Sequence, residues 1–111
     1  MKPIGGKIIF GSLRDHQCII PACNPRITIG VAKGIFRAVK DLDSALIMEL
    51  ARIECNQDGG YTGLTPKTLA DNLNQANAEV GHDIWALHAD HIQIKTGSSE
   101  EIAEVKNLIT H

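Results

Sequence analysis

The run SALIMELA at residues 44–51 is the stretch on which the fold turns. A single charge, Glu49, interrupts otherwise small and apolar residues after AspLeuAsp at 41–43, the pattern of a strand buried on both faces, as in a parallel sheet. A polar segment follows at 54–63, and ThrProLys at 65–67 then supplies a cap residue and a proline at the first helical position. Leu69, Leu73, Ala76 and Val80 repeat at i, i+4, i+7 and i+11 as one stripe of a helix, and Gly81 ends it. DIWALHADH at 83–91 predicts the next strand. After it, Ser98 and Glu101 have the spacing of a capping box for a last helix carrying Ile102, Val105 and Ile109.

On the other side of 44–51, residues 18–25, CIIPACNP, predict a first strand, nearly all apolar and buried on both faces. From Thr28 the period changes: Ile29, Ala32, Phe36 and Val39 fall at i, i+3, i+7 and i+10 of a helix. Gly30 and Gly34 weaken that helix by roughly 1 kcal/mol each relative to Ala, which predicts close packing at both. Residues 1–17, with KIIF at 7–10 between Gly6 and Gly11, predict a lead-in strand or arm. The order β-α-β-α-β-α implies right-handed crossovers and parallel strands, hence an α/β fold.

Composition agrees with one globular domain or a piece of one: 111 residues, 43% hydrophobic and 22% charged. A formal charge of −2 argues against a general nucleic-acid binder or a basic membrane-surface protein. No apolar run approaches a membrane span, and the start lacks the apolar segment of a signal peptide, so a cytoplasmic location is expected. Three cysteines without a CxxC spacing speak against a disulfide scaffold or zinc ribbon, and Cys18 and Cys23 are expected as small buried hydrophobes. With one Trp, one Tyr and two Phe, the core is expected to consist of Ile, Leu, Val and Ala.

Chemically unusual residues cluster after the strands: Asn24 after the first, Glu49 and the loop at 56–63 after the second, Asp90 and His91 after the third. In parallel α/β folds this C-terminal edge is where ligands bind. His88 and His91 form an H-x-x-H pair, but in a strand an offset of three puts them on opposite faces. His88 is therefore expected as a packed or hydrogen-bonded core histidine and not as a ligand. Asp90 and His91 serve one site only where the pleat relaxes at the strand end. The glycines of NQDGGYTG at 56–63 have the backbone to present amides to a phosphate, though an ordinary βα loop has the same look. Glu49 must be paired, protonated or at a polar rim. Lys67, Lys95 and the 41–43 turn are expected on solvated surfaces.

These residues resemble a known family. Residues 49–66, with AsnGln at 56–57 and GlyGlyTyrThrGly at 59–63 running into ThrPro at 65–66, look like the segment after the second strand of the non-catalytic-type subunit of tagatose-bisphosphate aldolase. Ala22 and Asn24 after IlePro, and HisAlaAspHis at 88–91, are similar to the broader class II, zinc-dependent ketose-bisphosphate aldolases. The chain departs from the pattern at Arg52, Ile53 and Glu54, where the non-catalytic subunits have small or amide residues, and at IleGln 92–93. The resemblance implies an eight-stranded βα barrel, with His91 a Zn²⁺ ligand and Asp90 the catalytic proton-transfer group. It also implies that Asn24, Glu49, Asn56, Gln57, Gly59 and Gly60 line the substrate pocket.

A barrel of that type takes about 250 residues, so the expectation is a lead-in at 1–17 and, at 18–111, the first three βα units of a larger TIM-type barrel, with helices on one side of the strands. The implied function is that of an aldehyde-lyase: reversible zinc-assisted aldol cleavage of a ketose 1,6-bisphosphate of the tagatose or fructose type, with the piece alone inactive. One alternative is a non-catalytic barrel subunit stabilising an aldolase partner; another is a small doubly wound α/β binding domain. Expected partners are a phosphosugar, the rest of the barrel or other aldolase subunits in an oligomer, and neither nucleic acid nor membrane. Asn24, Glu49, Asp90 and His91 should converge on the C-terminal edge, with His82 and His111 away from it.

Overall fold

The computed structural model describes residues 2–26 and 29–110. Thr28 and His111, singled out in the sequence, lie outside the described residues. The order is α1 (Gly6–Leu13), β1 (Ala22–Cys23), α2 (Ile29–Asp41), β2 (Leu46–Leu50), α3 (Pro66–Ala78), β3 (Trp85–Ala89) and α4 (Ser99–Thr110). The strands form one open parallel sheet in the order β1-β2-β3, as the alternation of strand and helix requires. Ile47 sits opposite Ala22 and Ala86, and Glu49 opposite His88.

Alternation along β2 sends Leu46, Met48 and Leu50 to one face, where they join Ala32, Phe36 and Val39 of α2 and Leu69, Leu73 and Ala76 of α3 in the main core. Its centre is aromatic after all: Phe36 and Trp85 are fully buried and meet edge to face, 5.0 Å between ring centroids. Few aromatics in a sequence do not keep them out of the centre, because each ring has a large apolar surface to bury. Helix α3 starts as the sequence predicts, with the Thr65 hydroxyl accepting from the Thr68 amide and Pro66 in the first turn. It stops at a left-handed Gly81 (φ 72°), whose amide donates to the Asn77 carbonyl. The Asn77 side chain then brackets His82, donating to its carbonyl at 2.7 Å and accepting from its amide at 2.9 Å. His82 is thus buried at the start of β3, at the edge opposite the strand ends that carry Asp90.

Several expectations are corrected. Residues 7–10 are helical, not a strand or arm. Ile9 of α1 packs on Ile47 and Ala86, so α1 covers the sheet face opposite α2 and α3 and the helices are not all on one side. A four-residue apolar run does not settle its own period, and here the tertiary contact of Ile9 decides it. The first strand shrinks to Ala22–Cys23, with Cys18 exposed and Ile19 92% exposed. Pro21 and Pro25 cannot donate to a ladder and bracket the paired stretch. Among the described residues, no atom beyond the chain neighbours and the helix's own backbone lies within 4 Å of a Cβ built at Gly30 or Gly34, so neither glycine marks a close approach to them. In α4 the buried residues are Val105 and Leu108, whereas Ile109 is 63% exposed, a rotation of the stripe by one position. Among the described residues, no helix is long and apolar enough to cross a membrane.

Candidate functional site

The C-terminal ends of all three strands open onto one cleft of about 240 Å³. Asn24 and Arg26 reach it from β1, Ile53 and Glu54 from β2, and Asp90 and His91 from β3. A second cleft of about 330 Å³ shares Ile53 and His91 and extends along Arg52, Asn56, Gly60 and Lys95.

Glu54 is the organising group of the first cleft, although in the sequence it stands out only as a departure from the family pattern. It is only 8% exposed. Its carboxylate accepts from Asn24 Nδ2 at 3.0 Å and from the Tyr61 hydroxyl at 3.0 Å, and Arg26 Nε lies 3.0 Å from it. Desolvation on its own would raise the carboxyl; the donors from Asn24 and Tyr61 and the Arg26 charge outweigh it and hold Glu54 below the ordinary glutamate range. Asn24 therefore does lie in the cleft, bound to this carboxylate.

The loop after β2 wraps around the Glu54 backbone. The Tyr61 amide donates to the Ile53 carbonyl, and the Thr62 amide and hydroxyl both donate to the Glu54 carbonyl. Gly60 has φ 51°, and a Cβ built there would lie 2.7 Å from the Glu54 carbonyl, so only glycine fits this crossing. The Gly59 amide donates to the Asn56 carbonyl and the Gly60 amide to Asp58 Oδ1 at 3.1 Å. These amides hold the loop together and are not presented to an anion, so the glycines here build the loop. Asn56 is half-buried in the second cleft, Gln57 is exposed beside it, and Gly59 is buried.

A different group stands on the sheet face. His88 Nδ1 lies 3.1 Å from Glu49 Oε1 across the β2–β3 ladder. Contrary to the expected core histidine, the His88 side chain is 56% exposed; the face it occupies is covered by α1 only near Ile47 and Ala86. The Asp90 amide continues the ladder to the Leu50 carbonyl at 2.7 Å, which brings Asp90 onto the same face as His88. Donor atoms of Glu49, His88 and Asp90 all lie within 4.8 Å of one another. His91 steps out of the strand at φ 49°, and its Nε2 sits 3.1 Å from Asp90 Oδ2. The left-handed residue is the relaxed pleat that lets adjacent Asp90 and His91 share a site.

Behind the second cleft, Arg52 Nη1 donates to Glu101 at 3.0 Å and to the Gln93 carbonyl at 2.8 Å. Glu101 also accepts from the amides of Lys95, Thr96 and Gly97 and from the Thr96 hydroxyl, which hold its carboxyl far below the usual range. The expected capping box is therefore half formed: Ser98 Oγ accepts from the Glu101 amide, but the Glu101 side chain secures the 95–97 turn and leaves the Ser98 amide to Thr96 Oγ1. Cys55 is buried; desolvation first and then the Glu54 charge push its thiol up to about 11, so it is no nucleophile at neutral pH.

No family model and no curated protein matches the sequence. Among solved structures, that of a probable tagatose 6 phosphate kinase from Sinorhizobium meliloti 1021 is similar, with a TM-score of 0.66 and 21% identity over 83% of this chain and 25% of that one. The chain spans about a quarter of the length of the structure it matches, and what the two share is the fold, an α/β arrangement of parallel strands and helices.

Proposed function

We propose that the chain forms three βα units of a larger phosphosugar-handling barrel of the class II aldolase type, which cleaves a ketose 1,6-bisphosphate reversibly with Zn²⁺. The carrying observation is the convergence of three adjacent parallel strand ends on one cleft, with Asp90 and His91 beside Asn24 and Arg26. The length of the neighbour relative to this chain supports a larger body, and its name refers to a tagatose phosphate. Zn²⁺, when bound, supplies polarisation of the ketose carbonyl and stabilisation of the enediolate. Asp90 takes the proton from the C4 hydroxyl as the C3–C4 bond breaks; the bond's electron pair passes to the carbonyl half, and an aldehyde leaves. The His91 ring, 3.1 Å from Asp90, orients that carboxylate. Arg26 has its Nε fixed by Glu54 while the side chain stays 60% exposed, and it offers a cation to a phosphate group of the substrate.

A second reading, a non-catalytic subunit supporting an aldolase partner, draws on the loop that carries the family likeness, whose backbone is engaged within itself. Release of dihydroxyacetone phosphate from tagatose and fructose 1,6-bisphosphates by the full-length protein with Zn²⁺ separates the two. Turnover that falls about 10²–10⁴-fold in Asp90→Asn supports the aldolase. Activity seen only as a gain in a co-expressed class II aldolase supports the subunit. Neither effect with either sugar overturns both.

A further inference from the structure

We propose that His88, held by Glu49, is a second acid–base group beside the cleft, moving the proton at the carbon that Asp90 does not serve. This rests on the aldolase reading, and the half-reactions separate its failure from the failure of that reading.

Asp90 accounts for one proton of an aldol cleavage, that of the C4 hydroxyl. The carbonyl half is left with the electron pair of the C3–C4 bond and must gain a proton at C3 before it leaves. An imidazole suits that task because it both takes and gives protons near neutral pH.

Strand geometry places His88 for it. Glu49 and His88 are directly opposite in the β2–β3 ladder, and Asp90 follows His88 by two residues, so the pleat sends all three to the open face. His88 Nδ1 lies 3.1 Å from Glu49 Oε1, and polar side-chain atoms of Glu49, His88 and Asp90 lie within 4.8 Å of one another. The C4 oxygen and C3 of the sugar are two bonds apart, so neighbouring groups can serve both. Asp90 is part of the cleft wall, which puts His88 at its edge. A carboxylate on Nδ1 keeps the ring proton there and leaves the Nε2 lone pair for the ligand, the orienting role a carboxylate plays behind a catalytic histidine. The His88 side chain is 56% exposed against 17% for Glu49, so the ring meets the ligand and Glu49 is the positioning residue.

In the condensation direction, Nε2 takes a proton from the hydroxymethyl carbon of dihydroxyacetone phosphate, and the electron pair of that C–H bond moves into the adjacent carbonyl. The same carbon then attacks the aldehyde, whose oxygen receives the Asp90 proton. His88 is left as imidazolium beside Glu49, and Asp90 is left ionised. Passage of one proton from His88 to Asp90, directly or through one water, resets both. Cleavage is the reverse, with no proton gained or lost overall. The competing explanation is a plain cross-strand Glu–His pair without chemistry.

Solvent deuterium exchange at that hydroxymethyl carbon, followed by proton NMR on the full-length protein with Zn²⁺, tests His88 apart from bond cleavage. His88→Ala should slow exchange about 100-fold or more. Added imidazole should restore it saturably, a gain that misfolding cannot imitate, while bound Zn²⁺ stays at the parent's level. Glu49→Gln should slow exchange about tenfold or more, and the ¹⁵N shifts of His88 should change from the Nδ1–H tautomer of the parent to the other. Exchange within about twofold of the parent in His88→Ala, loss of Zn²⁺ with the histidine, or a parent His88 protonated on Nε2 alone overturns the dyad. Exchange without cleavage of either sugar bisphosphate by the parent would refute the aldolase and leave the dyad standing; cleavage at the parent's rate in His88→Ala would do the reverse. Neither half-reaction in the parent overturns both.

Discussion

Leu46, Met48 and Leu50 leave β2 on one side and Ile47 and Glu49 on the other, and the two faces have different tasks. The first face meets α2 and α3 and is sealed around Phe36 and Trp85. The second is covered by α1 near Ile47 and Ala86, then opens where Glu49, His88 and Asp90 stand. A period of two thus lets one five-residue strand supply apolar stability to one layer and polar chemistry to the other. The cost of the arrangement is a carboxylate in an apolar strand, tolerable because Glu49 has an imidazole partner and an open side.

The largest expected effect tests the sealed face. Trp85→Ala should destabilise the fold by about 3–5 kcal/mol in denaturant unfolding, because it empties the centre of the core. A loss below about 1 kcal/mol would mean that the α2–α3 layer does not carry stability. Next comes the loop that bounds the cleft. Gly60→Ala combines a left-handed backbone with a Cβ 2.7 Å from the Glu54 carbonyl and should cost on the order of 2–3 kcal/mol. Gly63→Ala, with open space around its Cβ, should cost less in the same assay, and equal losses would remove the steric argument.

Glu54 offers a pH test. Its folded carboxyl is held below the ordinary value of about 4.3, so the stability it contributes is complete above that value and is lost as the pH falls through the lowered folded one. Glu54→Gln should therefore be less stable than the parent protein at pH 7, with the gap narrowing in acid, as thermal unfolding across pH 3–7 would record. A gap independent of pH would mean that charge is not what holds Asn24 and Arg26. The smallest effect belongs to the open face. Glu49→Gln or His88→Gln should change stability by no more than about 1 kcal/mol, and a larger loss would show that this face is structural as well.

Much of the architecture was legible because hydrophobic period and cap chemistry are local. The 44–51 and 83–91 strands, the Thr65–Pro66 start and the Gly81 stop need only neighbours along the chain. Even the convergence of Asn24 with Asp90 and His91 could be read from parallel topology. Glu54 could not: it looks like a loop glutamate, and its importance comes from Asn24 and Arg26, which reach it from the end of another strand. Its position in the apolar spacing between Ala51 and Cys55, both buried, is the faint local signal that it lies inside.

What the sequence determined by itself was therefore the order and type of the main elements and the edge at which chemistry gathers. Only the tertiary structure decided the state of 7–10, where Ile9 needs Ile47 and Ala86 to choose helix over strand. It also decided that the loop glycines close a turn and that His88, not a core residue, joins Glu49 and Asp90. The physical reason is common to these cases: periodicity assigns a side chain to a face, but what covers that face, and which carbonyl or carboxylate crosses it, is set by residues distant in sequence.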